Sequence, residues 1–372
     1  MSTEITPGGD SSGEGRPLLS LFSGAGGLDL GFEQAGYKPL LALDDDEQAV
    51  ITYNWNRGGS IGPAVGADLA TKSPEWLLHL WEKRAGTNIG PFGVIGGPPC
   101  QSFSVSNVHP LEHDKRRTLP IAYSKILAAF NERFVIHFFL FENVTGLKHK
   151  SHDSSFSEFK DAFQKSGFTV VDFHLNAINF GVPQYRERLF IVGFNETLYH
   201  GIDFQAPKGN SKKVSVRDAI GDLPEPVPWG RAVYPHRLDI HRNHWHMNAR
   251  SKKFTNGALK NGGFPGRSFR TLVWDEPSWT ASYGHREVHV HPDRKRRLSV
   301  YEAMLLQGFP PEYELLGTLS DQIELVSNAV PPPLAFALAQ RITEAIDGYD
   351  AAAAAKAHHA ETGHEAHAGV IR

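Results

Sequence analysis

The sequence predicts an α/β fold in which a doubly wound parallel sheet is combined with a second, smaller and irregular domain. Short apolar, β-prone segments alternate with helical segments between residues 17 and 194, and this alternation is typical of βαβ units. From about residue 195 to 293 the alternation stops, and Gly, Pro and His become frequent. A chain of 372 residues, of which 40% are hydrophobic, is long enough for one large and one small domain.

The predicted elements follow one another in a regular order. Strands are expected at residues 18–22, 39–43, 92–95, 134–141 and 189–192. A glycine turn and a helix at residues 28–35 follow the first strand. After the irregular segment, Ser299 and Glu302 have the spacing of a capping box, which predicts the start of a helix. A last helix is expected at residues 333–346, with proline in its first turn.

Both ends of the chain are expected to be tails. Residues 1–16 are rich in Gly, Ser and acidic residues, and residues 350–372 contain an alanine run followed by several histidines. The first tail lacks the apolar stretch of a signal peptide, and the longest apolar run, residues 134–141, is too short to cross a bilayer. Because a single cysteine also suits a reducing compartment, a cytoplasmic protein is predicted.

The charge of the chain is unevenly distributed. Residues 231–300 contain 14 Lys and Arg residues and 5 Asp and Glu residues. The rest of the chain contains 24 Lys and Arg residues and 36 Asp and Glu residues. Trp, Phe, Asn and Gly lie between the basic residues, as in many nucleic-acid-binding surfaces. The alternative is a solvated loop region whose charges contact nothing.

The one cysteine, Cys100, lies in the segment GGPPCQSFS at residues 96–104. An apolar strand precedes it and small polar residues follow, so the thiol is expected at the carboxyl end of a strand, where open α/β sheets carry their chemistry. A buried core cysteine is the alternative. Two glycines and two prolines argue against that alternative, because they are typical of turns.

A glycine-rich turn follows the first strand at residues 22–31 (FSGAGGLDLG). Glycines there allow the backbone to approach a ligand closely. Asp44 ends the second strand 20 residues after Gly24, where Rossmann-type folds carry a ribose-binding acid. Asp68, after the next predicted turn, is suited to an adenine amino group. The glycine turn alone also fits NAD or FAD, or a turn without a ligand.

These segments, in this order, resemble the DNA (cytosine-5) methyltransferases of bacterial restriction–modification systems, which use S-adenosylmethionine. The resemblance covers roughly residues 18–194 and 294–346. Two positions depart from it, because Ser20 stands where many members have an acid and Ser327 where glycine is usual. The matching motifs lie at residues 21–31, 97–104, 114–119, 141–144, 184–188, 296–310 and 327–332.

The resemblance implies a Rossmann-like S-adenosylmethionine-dependent methyltransferase sheet and a target-recognition domain. It implies a catalytic and cofactor-binding domain at residues 17–195, and a target-recognition domain at residues 196–310. Residues 311–349 would then form a C-terminal helical region that packs back on the catalytic domain, beside the first strand. The disordered tail at 1–16 and the low-complexity tail at 350–372 would lie outside these units.

The resemblance also implies the catalytic roles. The Cys100 thiolate would add to C6 of cytosine, because C5 is not nucleophilic enough to attack a sulfonium methyl unaided. Glu142 would donate a proton to N3, and Asn143 would hold that carboxyl group or the base. Arg188 would contact O2 of the base, and Arg186 would support the loop or a phosphate. The alternative for both arginines is a salt-bridged pair at a strand edge. A water molecule is a plausible base for the C5 proton.

Twelve residues are implied for the cofactor pocket. They come from the glycine turn, the ends of the second and third strands, the cysteine segment and the C-terminal region. These residues are Phe22, Gly24, Ala25, Gly27, Asp44, Asp45, Asp68, Leu69, Pro99, Leu119, Asn328 and Ala329. No metal is expected, because the histidines near residue 240 lack cysteine partners and a standard zinc spacing.

Double-stranded DNA is the expected partner, and the target base must be flipped out of the duplex. The loop at residues 101–118 is expected to close over that base. DNA contacts are predicted for Ser102, Arg116, Arg267, Arg270 and Arg286, since arginine commonly reads guanine. The enzyme is expected to be a monomer, with a cognate restriction endonuclease as its partner in the system.

Three other functions remain open at this point. The first is a tRNA cytosine-5 methyltransferase of the same family, although the basic, Arg-rich segment favours DNA. The second is a non-catalytic DNA-binding relative, which the intact Cys100, Glu142 and Arg188 disfavour. The third is an NAD-dependent oxidoreductase with an incidental cysteine.

Overall fold

A computed structural model describes most of the chain. The residues described are 15–59, 61–99, 119–149, 153–210, 212–230, 235–263, 269–281 and 288–368. Within them, a seven-stranded sheet has the order β3-β2-β1-β4-β5-β7-β6. Its strands are β1 (Arg16–Leu21), β2 (Tyr37–Asp44), β3 (Ala64–Gly66), β4 (Gly93–Gly96), β5 (Phe138–Asn143), β6 (Phe168–Asn176) and β7 (Glu187–Asn195).

Helices connect the strands and cover both faces of the sheet. The helices of the described residues are α1 (Gly27–Gln34), α2 (Glu47–Trp55), α3 (Pro74–Ala85), α4 (Leu119–Arg133), α5 (Asp153–Lys165), α6 (Val216–Ile220), α7 (Val300–Leu306), α8 (Leu319–Asn328) and α9 (Pro332–Ala368). None of them is both long enough and apolar enough to span a membrane.

The predicted α/β class is confirmed, but the sheet is not entirely parallel. Strands β1 to β5 pair in parallel, whereas β7 runs antiparallel to both β5 and β6. The sequence analysis missed β6 and predicted a parallel sheet throughout. Only residues 177–186 connect β6 to β7, and parallel pairing needs a crossover of a dozen or more residues. The connection therefore requires an antiparallel pair.

The boundaries of two further elements differ from the prediction. The strand expected at residues 134–141 begins only at Phe138, because residues 134–137 connect α4 to the sheet. The last helix does not end near residue 346 but continues to Ala368, through the segment expected to be a low-complexity tail. The tail expected at residues 1–16 overlaps the first strand, which begins at Arg16; residues 1–14 lie outside the described residues.

The core is divided by the sheet into two layers. On one face, Trp81, Phe130 and Phe163 from α3, α4 and α5 pack together on the strands. On the other face, the buried side chains of α1 and α9 share a cluster with Leu18 of β1. Helix α9 approaches α1 closely because Gly31 has no side chain; an added Cβ atom would collide with Ala335. The C-terminal helix thus packs on α1 and shares a buried cluster with Leu18 of the first strand.

The described residues between β7 and α7 form little regular structure. A two-residue parallel pair, β8 (Val227–Pro228) and β9 (Trp245–His246), is the only sheet among them. Isolated backbone hydrogen bonds hold the rest, including Val216 N–H to Glu276 O at 2.9 Å and Leu272 N–H to Val290 O at 3.0 Å. Helix α7 then begins at the predicted capping box, in which the backbone and side chains of Ser299 and Glu302 bond reciprocally.

Candidate active site

A cavity of about 340 Å³ lies at the carboxyl ends of β1, β2, β4 and β5. The carboxyl ends of parallel strands meet at one edge of the sheet, so polar residues distant in sequence come together there. Eleven of the predicted site residues line it. They are Phe22, Gly24, Ala25, Gly27, Asp44, Asp45, Pro99, Glu142, Arg188, Asn328 and Ala329.

The turn between β1 and α1 has an unusual backbone. Phe22, Gly24 and Gly26 have φ angles of 56°, 53° and 77°. This left-handed region suits glycine and is rare for a residue such as phenylalanine, and non-glycine residues held there are concentrated at ligand sites. An added Cβ atom on Gly27 would meet the carbonyl oxygen of Val330. The turn is therefore held tightly between β1 and the segment that joins α8 to α9.

Asp44 connects this turn to the next one. The Gly24 N–H donates to Asp44 Oδ2 at 2.7 Å, and the Asp46 N–H donates to Asp44 Oδ1 at 3.0 Å. Burial raises the pKa of Asp44 to about 6, although both amide hydrogen bonds act in the opposite direction. The carboxylate thus lies at the cavity wall with its orientation determined by two loops.

Asp29, which the sequence analysis did not select, also lines the cavity. It lies in the first turn of α1 and is fully buried. The Tyr53 hydroxyl donates to Asp29 Oδ1 at 2.8 Å. Burial raises the pKa of Asp29 to about 6. Ser20, noted from the sequence only as a departure from the family, lines the cavity beside it.

Glu142 and Arg188 form an ion pair at the same cavity. Arg188 Nε lies 3.0 Å from Glu142 Oε1, and both side chains line the cavity. Burial raises the pKa of Glu142, against the opposing effect of Arg188 and then Arg186. Gly97 allows this arrangement, because a Cβ atom on it would lie 2.6 Å from Glu142 Oε2. A buried carboxyl group with a raised pKa is suited to donate a proton.

Asn143 and Arg186 are buried beside the cavity without lining it. The Asn143 side-chain amide donates to Pro98 O at 3.3 Å, so it holds the segment that leads to Cys100. Arg186 donates to Ser327 O at 2.9 Å and Asn328 O at 3.3 Å. These two hydrogen bonds connect Arg186 to the C-terminal part of the site, and its predicted role stays a prediction.

Three predicted cofactor residues are not part of this cavity lining. Asp68 is exposed and accepts a hydrogen bond from the Ala70 N–H at 2.9 Å. Leu69 lines a different cavity, of about 680 Å³, beside α3 and α4. Leu119 is buried at the start of α4. Conversely, Glu324 and Leu325 of α8 line the cavity, and no sequence signal selected them, because α8 reaches the site only through tertiary packing.

Several predicted residues lie outside the described residues. They are Cys100, Ser102, Arg116, Arg267 and Arg286. The neighbour of the cysteine, Pro99, is described and lines the cavity. Of the predicted DNA-reading arginines, Arg270 is described; its guanidinium lies 5.8 Å from the ring centroid of the exposed Trp279.

The histidines near residue 240 have structural contacts. His244 makes hydrogen bonds through both ring nitrogens, to Ser299 Oγ at 3.1 Å and to Pro224 O at 2.8 Å. His241 stacks on Tyr301 with ring centroids 4.1 Å apart. Among the described residues, no group of three or more His, Cys, Asp or Glu side chains is arranged to hold a metal ion.

Comparisons with known proteins agree with this geometry. Residues 17–344 match the family profile of the C-5 cytosine-specific DNA methylases. The Type II methyltransferase M.MthTI of Methanothermobacter thermautotrophicus is 34% identical over 89% of this chain and 98% of its own length. The Type II methyltransferase M.FnuDI of Fusobacterium nucleatum is 32% identical over 88% of this chain and 94% of its own.

Solved structures share the fold. One is a prophage-encoded E. coli protein described as a DNA modification methyltransferase, with a TM-score of 0.71 and 21% identity over 89% of this chain and 99% of its own. Another is a DNMT2 variant of Spodoptera frugiperda, with a TM-score of 0.60 and 16% identity over 88% of this chain and 100% of its own. From the profile match, the Type II relatives and the shared fold, the chain belongs to the C-5 cytosine-specific DNA methylase family and is a methyltransferase.

Proposed function

We propose that this protein is a sequence-specific DNA (cytosine-5) methyltransferase that acts on a flipped-out cytosine through a covalent adduct between Cys100 and C6. The observation that carries the proposal is the Glu142–Arg188 pair, which shares one cavity with the glycine turn and with Pro99, the residue before Cys100. A proton donor, a cation and the thiol segment at one cavity are what addition to a pyrimidine ring requires.

Each reacting group has a defined task in this proposal. The Cys100 thiolate forms a bond to C6 while Glu142 transfers its proton to N3, so that the ring becomes an enamine with a nucleophilic C5. Arg188 stabilises the negative charge that develops at O2. After C5 has been alkylated, the C5 proton leaves to a base, the C6–S bond breaks to regenerate the thiolate, and N3 returns its proton to the Glu142 carboxylate. Asn143 and Arg186 position the two loops on either side of the cavity.

The proposed cofactor of this cavity is S-adenosylmethionine, which would supply an electrophilic methyl group when bound. Asp44, whose carboxylate oxygens also accept from the Gly24 and Asp46 amides, would accept hydrogen bonds from ribose hydroxyls, and the glycine turn would allow close backbone approach. Asn328 and Ala329 close the cavity from the C-terminal side. Asp45 also lines the cavity, and Asp68, Leu69 and Leu119 remain predictions for the adenine end.

The DNA is proposed to bind between the catalytic part, residues 17–195, and a target-recognition part, residues 196–310. Ser102 and Arg116 would contact the flipped nucleotide and its phosphates, and Arg267, Arg270 and Arg286 would read base edges. Helical residues 311–349 would complete the cofactor side. The enzyme would act as a monomer on duplex DNA, with a cognate endonuclease in the same system.

The test is methyl transfer from labelled S-adenosylmethionine to duplex DNA of mixed sequence. Wild-type protein should form 5-methylcytosine, and the Cys100→Ala variant should not. Bisulfite sequencing of DNA from cells that express the chain would then identify the recognition site. Equal transfer by both proteins would refute the covalent mechanism, and transfer to tRNA alone would refute the DNA assignment.

A further inference from the structure

Two cation–aromatic pairs lie at the surface beside the part of the site that contains Arg188. The Arg270 guanidinium lies 5.8 Å from the ring centroid of Trp279, and Lys213 Nζ lies 5.5 Å from the ring centroid of Tyr185. Both distances fall within the range of about 6 Å over which an aromatic face attracts a cation. None of these four side chains is buried in the core, so both pairs are accessible to another molecule.

Backbone hydrogen bonds hold the two aromatic residues next to each other. The Tyr185 N–H donates to Ser278 O at 2.9 Å, and the Ser278 N–H donates to Pro183 O at 2.8 Å. Trp279 follows Ser278 directly, so the same contacts determine where its backbone lies. Tyr185 lies three residues before Arg188, and three residues span at most about 11 Å. Both rings are therefore near the arginine that lines the cavity.

The cations of the two pairs are not neutralised by the protein. Within the described ranges, no carboxylate forms an ion pair with Arg270 or Lys213. Asp275, which is close to Arg270 in sequence, is paired with Arg217 at 2.8 Å. Positive charge that the protein itself leaves unpaired at a surface favours an anionic partner.

A second arginine–tryptophan pair of similar geometry makes the difference clear. Arg242 lies 5.3 Å from the ring centroid of Trp55, and Trp55 is 50% exposed against 46% for Trp279. Arg242, however, donates to Glu314 Oε2 at 2.7 Å, and the Trp55 ring nitrogen donates to the same carboxylate. The protein thus neutralises that pair, whereas Arg270 keeps its charge and its N–H donors for another molecule.

The chemistry of the two pairs matches the two kinds of contact that duplex DNA offers. A lysine ammonium group is a compact charge that suits a phosphate, whereas a guanidinium matches the paired acceptors on the major-groove edge of guanine. An aromatic ring beside a guanidinium restricts its orientation. A fixed donor geometry is what distinguishes one base edge from another.

We propose that the two pairs bind duplex DNA in different ways. Lys213, beside Tyr185, binds a backbone phosphate and adds no sequence discrimination. Arg270 contacts a base edge, and Trp279 is a positioning residue that orients the Arg270 guanidinium toward the DNA. This inference rests on the proposed function, because it assumes that duplex DNA is the substrate.

The salt dependence of binding tests the phosphate contact. Fluorescence anisotropy measures the affinity for a labelled duplex with the site found by bisulfite sequencing, and for a duplex with one base pair of that site replaced. Lys213→Gln should weaken binding to both duplexes equally and reduce the slope of log affinity against log salt concentration by about 1. Lys38→Gln is the matched control, because Lys38 is exposed near the start of β2, at the other end of that strand from Asp44, and should leave the slope unchanged.

The ratio of the two affinities tests the role of Trp279. Arg270→Ala should reduce this discrimination about 10- to 100-fold. Trp279→Leu, which keeps an apolar side chain but has no aromatic face, should reduce it about three- to fivefold, whereas Trp279→Phe should stay within about twofold of wild type. Trp55→Leu is the matched control and should leave the ratio unchanged. Thermal unfolding of each variant establishes that the protein measured is folded.

A double variant separates positioning from direct contact. If Trp279 acts through Arg270, Trp279→Leu has no further effect on discrimination in the Arg270→Ala background. Additive losses, or unchanged discrimination in Trp279→Leu alone, would overturn the role of Trp279, and an unchanged salt slope in Lys213→Gln would overturn that of Lys213. If wild type binds no duplex DNA, the proposed function itself fails, and the inference fails with it.

Discussion

Two buried Glu–Arg pairs in this protein differ in how completely their charges are satisfied. The Glu302 carboxylate accepts two hydrogen bonds from Arg296, at 2.8 and 2.9 Å, and a third from the Ser299 N–H at 2.7 Å. Glu142 has one ion-pair contact, Arg188 Nε at 3.0 Å from Oε1. Both glutamates are buried, at 1% and 8% exposure.

The difference separates a pair with structural contacts on every side from the pair that we propose takes part in the reaction. Arg296 also bonds Glu225 at 2.6 Å, so it joins the irregular segment to the start of α7. Glu142 instead keeps capacity on the cavity side, and its pKa is raised by burial. A buried acid that is fully paired stabilises the fold, whereas one that is partly paired at a cavity is available for chemistry.

The largest effect is expected for Glu142→Gln. The amide retains the shape of the side chain and an acceptor for Arg188 but has no proton to donate to N3. We expect methyl transfer to fall about 1,000-fold, with no loss of thermal stability. Single-turnover rates and melting temperatures of wild type and variant test this. A rate within tenfold of wild type would remove Glu142 from its proposed role.

Substitution in the Glu302–Arg296 pair should lower the stability of the fold and leave the transfer rate unchanged. Arg296→Met leaves a buried carboxylate without its partner, and we expect the free energy of unfolding to fall by about 3–5 kcal/mol. The transfer rate per folded molecule should not change. Arg217→Met is the matched control, because Arg217 pairs with Asp275 at the surface, where solvent screens the pair and its loss should change the stability little. Chemical denaturation measures both; similar losses for the two variants would contradict the comparison.

A third substitution would displace the Glu142 carboxyl group without altering the charge of Glu142 or Arg188. Gly97→Ala would place a Cβ atom 2.6 Å from Glu142 Oε2, which displaces the carboxyl group. We expect the transfer rate to fall about 100-fold, since small displacements of reacting groups have effects of this size. Gly66→Ala is the control, because no heavy atom lies within 4 Å of its added Cβ. Equal rates for both variants would show that Glu142 tolerates displacement.

The smallest expected effect is a change in how the free energy of unfolding depends on pH. The pKa of Asp29 is about 6 in the folded protein and near 3.8 ordinarily, so its ionisation destabilises the folded state increasingly as pH rises from 3.8 to 6. Asp29→Asn removes this cost. The free energy of unfolding of the variant, relative to wild type, should therefore rise by about 1 kcal/mol between pH 5 and pH 7.5. Urea denaturation at both values tests this, and a pH-independent difference would contradict it.

Much of the fold and of the site was accessible from the sequence, because the signals are local. The glycine turn after β1 and Asp44 at the end of β2 were each marked by a β-prone run followed by small or polar residues, whereas Glu142 near the end of β5 was selected through the family resemblance. Once the strands are parallel, these ends must lie at one edge. The capping box at Ser299 is equally local, since it depends only on residues 299–302.

Other features could not be predicted, because they depend on residues that are distant in the sequence. Asp29 looks like an ordinary acid in the first turn of a helix, and its burial depends on Tyr53, 24 residues later. Glu324 reaches the cavity from α8, far along the chain. The antiparallel direction of β7 depends on the length of its connection to β6, which sequence analysis did not recognise as a strand.

The sequence by itself determined the class of the fold and the order of the motifs, because periodicity, turn chemistry and side-chain chemistry are properties of neighbouring residues. The reactive groups were implied by the family resemblance and stay predictions. Only the tertiary structure decided how completely each charge is paired. That quantity depends on which distant groups approach it and on how much water they exclude. It makes Glu302 a structural residue and Glu142 a candidate acid, although both are glutamates in the sequence.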